Sequence, residues 1–339
     1  MKTLVVIGTG GTIAGAAEDP MQTLGYRAGA VPVARLLEGI PGLERVAALR
    51  TRQPLSIGSE HMRASHWHAI WREVRDAVAD PAIDGVVVAH GTDTLEETAF
   101  FLDLVTPRGK PVVLTGAMRP ATAAGADGPA NLLAACAFAA DDAAYGRGVL
   151  VALNDVALAA AHAAKTHTLR TDAFVARDAA PLGDFISGAV RWRAAATRAG
   201  EVASPRRNRF TALEPTGALP RVALVWQHVD CDEAVVAWHL SRGARGIVIA
   251  GTGNGTMPDA MRAALAAASR GGCLVVRASR VPRGPVIRNA QAEPADRDDA
   301  LGFIAAGGVA PLKARLLLQC CLLAGMDVAA AQAEFDAIG

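Results

Sequence analysis

Aromatic residues are scarce in this chain: they make up 4% of 339 positions and include only two tyrosines. Its cores must therefore be packed from Ala, Val, Leu and Ile. No sign of charge dominates either. Lys and Arg number 34 against 33 Asp and Glu, for a net charge of +1 and no long run of either sign. That argues against a nucleic acid or a membrane surface held by charge. No apolar run approaches the ~20 residues of a membrane span. The five cysteines, Cys136, Cys231, Cys273, Cys320 and Cys321, are odd in number, and their spacing suits neither a disulfide framework nor a zinc site. They read as small core residues. His66 and His68 are two apart on an expected helix and point to different sides, which makes a metal pair there a poor reading. The elbow G-x-S-x-G of serine hydrolases does not occur. Met1-Lys2-Thr3 runs straight into a strand with no apolar leader, so a cytoplasmic location is expected.

What is present is a repeated alternation. Apolar runs at Leu4–Ile7, Gly85–Ala89, Pro111–Thr115 and Gly148–Leu153 each end in a turn of Gly or polar residues. Amphipathic stretches such as Ser65–Val78, with Trp67, Ile70, Trp71, Val74 and Val78 on one face, lie between them. Strand, turn and helix in this order predict an α/β fold with a doubly wound parallel sheet. The pattern restarts at Val222–Trp226 and Gly246–Ala250 and closes on a long apolar helix, Pro311–Leu323. The length allows two domains. We expect an N-terminal domain over 1–195 and a C-terminal one over 221–339. A linker over 196–220, rich in proline and carrying the basic cluster Arg206-Arg207-Asn208-Arg209, would join them.

The most informative stretch is His90-Gly91-Thr92-Asp93-Thr94-Leu95-Glu96-Glu97-Thr98. A buried strand precedes it, and Leu95, Ala99, Leu102 and Val105 recur behind it at helical spacing. Thr94 and Glu97 have the spacing of a capping box. Thr92 and Asp93 thus stand at the carboxyl end of a central strand, where open α/β sheets bind ligands. The plainer alternative is an aspartate that only supports the helix start.

The first strand runs into Gly8-Thr9-Gly10-Gly11-Thr12-Ile13-Ala14-Gly15. A dinucleotide fingerprint would need glycine where Ile13 stands, and a phosphate-binding P-loop would need lysine at Ala16. What is left is a tight turn presenting one hydroxyl, Thr12. The irregular segment from Ala16 to Ala30 has the length of a lid and contains Tyr26. Ser59-Glu60 follows an extended segment read over Val46–Ile57, and Asn254 sits in the glycine turn Gly253-Asn254-Gly255. Lys165 follows an apolar approach, Ala159 to Ala164, that favours partial burial.

A threonine hydroxyl is a weak nucleophile unless a neighbour takes its proton. Thr92 with Asp93 and Lys165 would make one such set, and Thr12 with Tyr26 another. Paired carboxylates near one pocket favour a cationic group on the substrate. The residues by themselves point to acyl transfer on a small polar substrate without metal or cofactor. A nucleotide-binding protein and a non-catalytic binding module are the competing classes.

Gly10-Gly11-Thr12-Ile13-Ala14, His90-Gly91-Thr92-Asp93-Thr94 with Glu96-Glu97-Thr98, and Gly116-Ala117-Met118-Arg119-Pro120 together resemble the bacterial L-asparaginase/glutaminase family, type II in particular. The likeness continues through Ala126-Asp127-Gly128-Pro129, Gly253-Asn254-Gly255, Ser279-Arg280-Val281-Pro282 and Lys313-Ala314-Arg315, and so spans nearly the whole chain. It implies a flavodoxin-like N-terminal domain with a parallel sheet, a smaller parallel α/β C-terminal domain, and a homotetramer of intimate dimers that hydrolyses L-asparagine, with glutamine as a side or even main substrate. By position, Thr12 is implied as the nucleophile beside Tyr26, and Thr92, Asp93 and Lys165 as the second part of the site. Ser59 and Glu60 match positions that hold the α-carboxylate and α-amino group, and Asp93 helps with the ammonium. Asn254 matches a residue reaching in from a neighbouring subunit. The family also places an acid there, before a Gly-Phe pair that is Gly302-Phe303 here. This chain departs at that place, reading Ala290-Gln291-Ala292-Glu293-Pro294; Glu293 is the expected acid and Gln291 the alternative.

Overall fold

The computed structural model describes residues 1–193, 210–213 and 218–338. The chain forms two compact units, Met1–Thr211 and Ala212–Gly339. Among its described residues the first holds ten strands: β1 (Thr3–Gly8), β2 (Ala48–Arg52), β3 (Gly85–Ala89), β4 (Val112–Thr115), β5 (Val149–Leu153), β6 (Val156–Ala159), β7 (Ala163–Lys165), β8 (Phe174–Ala176), β9 (Gly183–Ile186) and β10 (Ala189–Trp192). Eight of them form one sheet in the order β10-β9-β6-β5-β4-β3-β1-β2, and β7 and β8 pair by themselves.

From β2 to β5 every pairing is parallel, in the order 2-1-3-4-5. That is the flavodoxin-like order. β3, β4 and β5 are buried along their whole length, as expected of strands covered by helices on both faces. The helix Ala64–Ala79 buries Trp67, Ile70, Trp71, Val74 and Ala77, its stripe ending on Ala77 rather than Val78. The core under the other face is built largely of aliphatic residues and alanine, among them Leu4, Val6, Val87, Leu132 and Leu150.

Three features differ from the sequence reading. The segment 46–57 is not one extended run: a short helix, Leu43–Val46, turns the chain first, and only Ala48–Arg52 pairs as an edge strand. The capping box before the helix Leu95–Val105 does not form. The Thr94 hydroxyl instead donates to the Ser59 carbonyl at 3.0 Å. The sheet also continues beyond β5 through antiparallel β6, β9 and β10, whose four-residue length left no periodic pattern to read. The basic cluster Arg206–Arg209 lies outside the described residues. Phe210, near the end of the first unit, is buried.

The described residues of the second unit form four strands, β11 (Val222–Trp226), β12 (Gly246–Gly251), β13 (Leu274–Ser279) and β14 (Phe303–Ala305), in sequential order and all parallel. Val236, Ile247, Leu265, Val275 and Phe303 belong to the core beneath them. The family-implied pair of folds, one flavodoxin-like and one smaller and parallel, is what the chain adopts.

Candidate active site

β1 and β3 are neighbours, yet β1 passes the chain to β2 on one side and β3 passes it to β4 on the other. Connections that leave in opposite directions open a crevice at the carboxyl ends of the two strands. Two glycines let the turns there approach. A Cβ on Gly11, whose φ is +77°, would overlap the Gly91 backbone, and one on Gly91 would come within 2.6 Å of the Ser59 hydroxyl oxygen. Thr12 and Thr92, each one residue on, are thereby brought to the same crevice.

The Ser59 turn is tied in by backbone bonds. The Gly11 amide donates to the Ile57 carbonyl at 2.8 Å and the Ile57 amide to the Thr9 carbonyl at 3.1 Å. The Asp93 amide then donates to Ser59 Oγ at 3.2 Å. Because that oxygen is already accepting, the Ser59 hydroxyl proton is available to an anion in front of it.

Two hydroxyl pairs result. Thr12 Oγ1 and the Tyr26 phenol oxygen lie 2.5 Å apart. The loop carrying Tyr26 is closed at its base by reciprocal bonds between Ala16 and Arg27, both 3.0 Å. The Tyr26 phenol holds its proton more tightly than an ordinary tyrosine. Burial is the main cause, the hydrogen bond between it and Thr12 opposes it, and the charges of Asp93 and Glu60 reinforce it. In the second pair, Lys165 Nζ donates to Thr92 Oγ1 at 2.9 Å and to Asp93 Oδ1 at 2.7 Å. Lys165 comes from the β7–β8 hairpin, 73 residues away from Thr92. Its side chain is 16% exposed, whereas that of Asp93 is 61% exposed. The lysine is thus partly buried, as its apolar approach suggested, and the aspartate faces the opening.

Thr12, Tyr26, Ser59, Glu60 and Asp93 line one cavity of about 250 Å³ together with Gly11, Leu24, Gly25, Ala28 and Gly58. Two carboxylates at its rim attract a cationic group, and hydroxyls stand where a carbonyl carbon could be attacked. Among the described residues no cluster of three or more His, Cys, Asp or Glu is placed to hold a metal ion.

Asn254 and Glu293 belong to the second unit. Asn254 Oδ1 accepts the Ile287 amide at 2.8 Å, and its carbonyl accepts from Arg277. Glu293 is exposed and immediately precedes the short turn Pro294–Asp296, with no capping hydrogen bond from its side chain. Gln291 is more enclosed: its Oε1 is buried with no hydrogen-bond partner among the described residues.

Sequence reasoning passed over two residues. Arg277, on the buried strand β13, forms a bidentate pair with Asp298 at 2.6 and 2.7 Å and also donates to the Ile287 carbonyl at 2.9 Å. It therefore anchors the turns that carry Asn254 and the segment after Ile287. A charge inside an otherwise apolar strand was the available signal. The other is His90, buried behind the Thr92–Asp93 turn; no local signal set it apart from an ordinary loop histidine.

Two family models match the chain. "Asparaginase, N-terminal" covers residues 3–198, and "Glutaminase/Asparaginase C-terminal domain" covers residues 221–335. The chain is 36% identical to the "Probable L-asparaginase periplasmic" of Haemophilus influenzae, over 99% of this chain and 93% of that protein. It is 35% identical to "L-asparaginase 2" of Escherichia coli, with the same coverage. To the "Glutaminase-asparaginase" of Acinetobacter glutaminasificans it is 37% identical, over 98% of this chain and 99% of the other. Among solved structures, the "Probable Cytoplasmic L-asparaginase" of Campylobacter jejuni superposes with a TM-score of 0.89 at 36% identity, covering 99% of this chain and 100% of that one.

Proposed function

We propose that this chain, which belongs to the glutaminase/asparaginase family, hydrolyses L-asparagine to L-aspartate and ammonia. The observation that carries the reading is the pairing of Thr12 with Tyr26 and of Thr92 with Lys165 beside a cavity rimmed by Glu60 and Asp93. The Ser59 hydroxyl donates to the substrate α-carboxylate, and Glu60 and Asp93 face its α-ammonium. Thr12 Oγ1 attacks the side-chain amide carbon while its proton passes to the Tyr26 oxygen, whose own phenolic proton goes on to the leaving nitrogen. The C–N bond breaks and ammonia leaves with that proton, so that Thr12 carries an aspartyl ester. Water, activated by Thr92 and Lys165, then adds to the ester, releases aspartate and restores the hydroxyl. Splitting the reaction in this way makes two easier steps of one difficult one.

The chemistry needs no metal or organic cofactor. Asn254 and Glu293 are assigned to a neighbouring subunit's site in a homotetramer of intimate dimers, a state that sedimentation would test. The reading also carries a cytoplasmic location, which cell fractionation would check. Relatives named glutaminase-asparaginase favour a second reading in which glutamine is the main substrate. The deciding experiment is ammonia release from L-Asn, L-Gln and their D-forms, with and without a chelator. Release from L-Asn that survives the chelator is expected. Faster release from L-Gln would select the second reading, and ligand binding without release would leave a non-catalytic module. Hydroxylamine should trap an aspartyl hydroxamate; none at excess nucleophile would favour direct attack by water.

A further inference from the structure

We propose that His90 is a positioning residue for this hydrolysis, acting through the Gly91 carbonyl to hold the Thr92–Asp93 turn; the inference rests on the hydrolase reading above. His90 Nδ1 lies 2.7 Å from the Gly91 carbonyl oxygen, and Nε2 lies 3.1 Å from Thr98 Oγ1. Trp67 Nε1 donates to that same Thr98 oxygen at 2.9 Å. The direction of every bond in this chain is determined. A carbonyl only accepts, so Nδ1 carries the proton. An indole N–H only donates, so Thr98 receives it and passes its own proton to Nε2.

The three side chains are enclosed: Trp67 is 6% exposed, Thr98 0% and His90 1%. Burial holds the ring neutral by pushing its pKa down to about 4, so one tautomer persists through the neutral range. The chain links the helix Ala64–Ala79, the helix Leu95–Val105 and the turn between β3 and that second helix. Its last bond grips a peptide group rather than a side chain. No peptide bond is cis among the described residues, and in a trans peptide the carbonyl and the next amide point opposite ways. With the Gly91 carbonyl turned to the ring, the Thr92 amide is turned away from it. Ser59 holds the far end of the same turn through the Asp93 amide and the Thr94 hydroxyl. The side chains of Thr92 and Asp93 are thus fixed between two clamps, of which His90 is the inner one.

A histidine that only fills the core would cost stability when replaced and leave turnover unchanged in the folded fraction. A clamp behaves otherwise. An asparagine amide nitrogen falls near the Nδ1 position and keeps a donor for Gly91, whereas a glutamine amide falls near Nε2 and does not. Assayed well below its melting midpoint, His90→Gln should lose about tenfold to a hundredfold in kcat with KM within about threefold, while His90→Asn should recover most of the loss. In the native chain, nitrogen NMR of the His90 ring should show a protonated Nδ1 and a bare Nε2. Unchanged kcat in a folded His90→Gln, equal losses in both variants, or the opposite ring tautomer would overturn the assignment. Should neither variant fold, the ring measurement decides. A native chain that releases no ammonia from asparagine or glutamine would instead refute the hydrolase reading.

Discussion

Replacing Lys165 separates catalysis from stability. Its ammonium donates to Thr92 Oγ1 and to Asp93 Oδ1, and the carboxylate partner is 61% exposed. An ion pair so open to water is worth at most about 1 kcal/mol. Removing it also strips a donor from the buried Thr92 hydroxyl, which costs about another 1 kcal/mol. Lys165→Met, close in length and apolar, should therefore destabilise the first unit by about 1–2 kcal/mol. If Lys165 moves a proton in turnover, the same change should lower kcat by about 10²–10⁴, equivalent to about 3–5 kcal/mol of barrier. Steady-state ammonia release and a urea melt on one preparation measure both. Lys165→Arg sharpens the test, because arginine keeps the charge and the donors but does not give up a proton. It should be nearly as inactive as the methionine variant. A Lys165→Met enzyme retaining more than about a tenth of kcat, or an arginine variant with near-native turnover, would refute the proton-transfer role.

Tyr26→Phe should cut kcat by about a hundredfold while leaving Thr12 in place. The phenolate absorbance step that native protein shows and Tyr26→Phe lacks in alkaline titration should lie above 10.0. The folded chain binds this proton more tightly than the unfolded one. The stability it contributes is therefore complete below pH 10.0 and is lost as pH rises through the raised value; Tyr26→Phe should remove that alkaline decline. Asp298→Ala leaves the Arg277 guanidinium, 3% exposed, without its partner and should cost about 3–5 kcal/mol in urea unfolding of the second unit; a loss below about 1 kcal/mol would contradict the buried-pair reasoning. Glu293→Ala should raise KM for asparagine strongly and Gln291→Ala little. At an asparagine concentration too low for Glu293→Ala to turn over, mixing its subunits with inactive Thr12→Ala subunits should restore activity, and no recovery in verified mixed oligomers would overturn the shared site.

Much of this protein was legible in its sequence, because the relevant signals are local. Gly85–Ala89 and Val149–Leu153 are apolar on both faces, and a strand of that kind has nowhere to go but the middle of a helix-covered sheet. Glycines directly before Thr12 and Thr92 mark turns at strand ends, and a hydroxyl placed there faces the ligand side of the sheet. What only the tertiary structure decided involves partners far apart in the chain. Lys165 was a candidate by its apolar approach, but its distance of 2.9 Å from Thr92 depends on a hairpin of two three-residue strands. The spacing of Thr94 and Glu97 promised a local cap, yet the Thr94 hydroxyl is committed to the Ser59 carbonyl, 35 residues away. His90 and Arg277 followed the same rule: their chemistry lies in the buried groups that surround them. Sequence periodicity reports which face of a strand or helix is buried, because burial repeats with the backbone. It does not report which polar atom meets which, because a hydrogen bond between distant segments is set by the packing of whole elements and leaves no repeat along the chain.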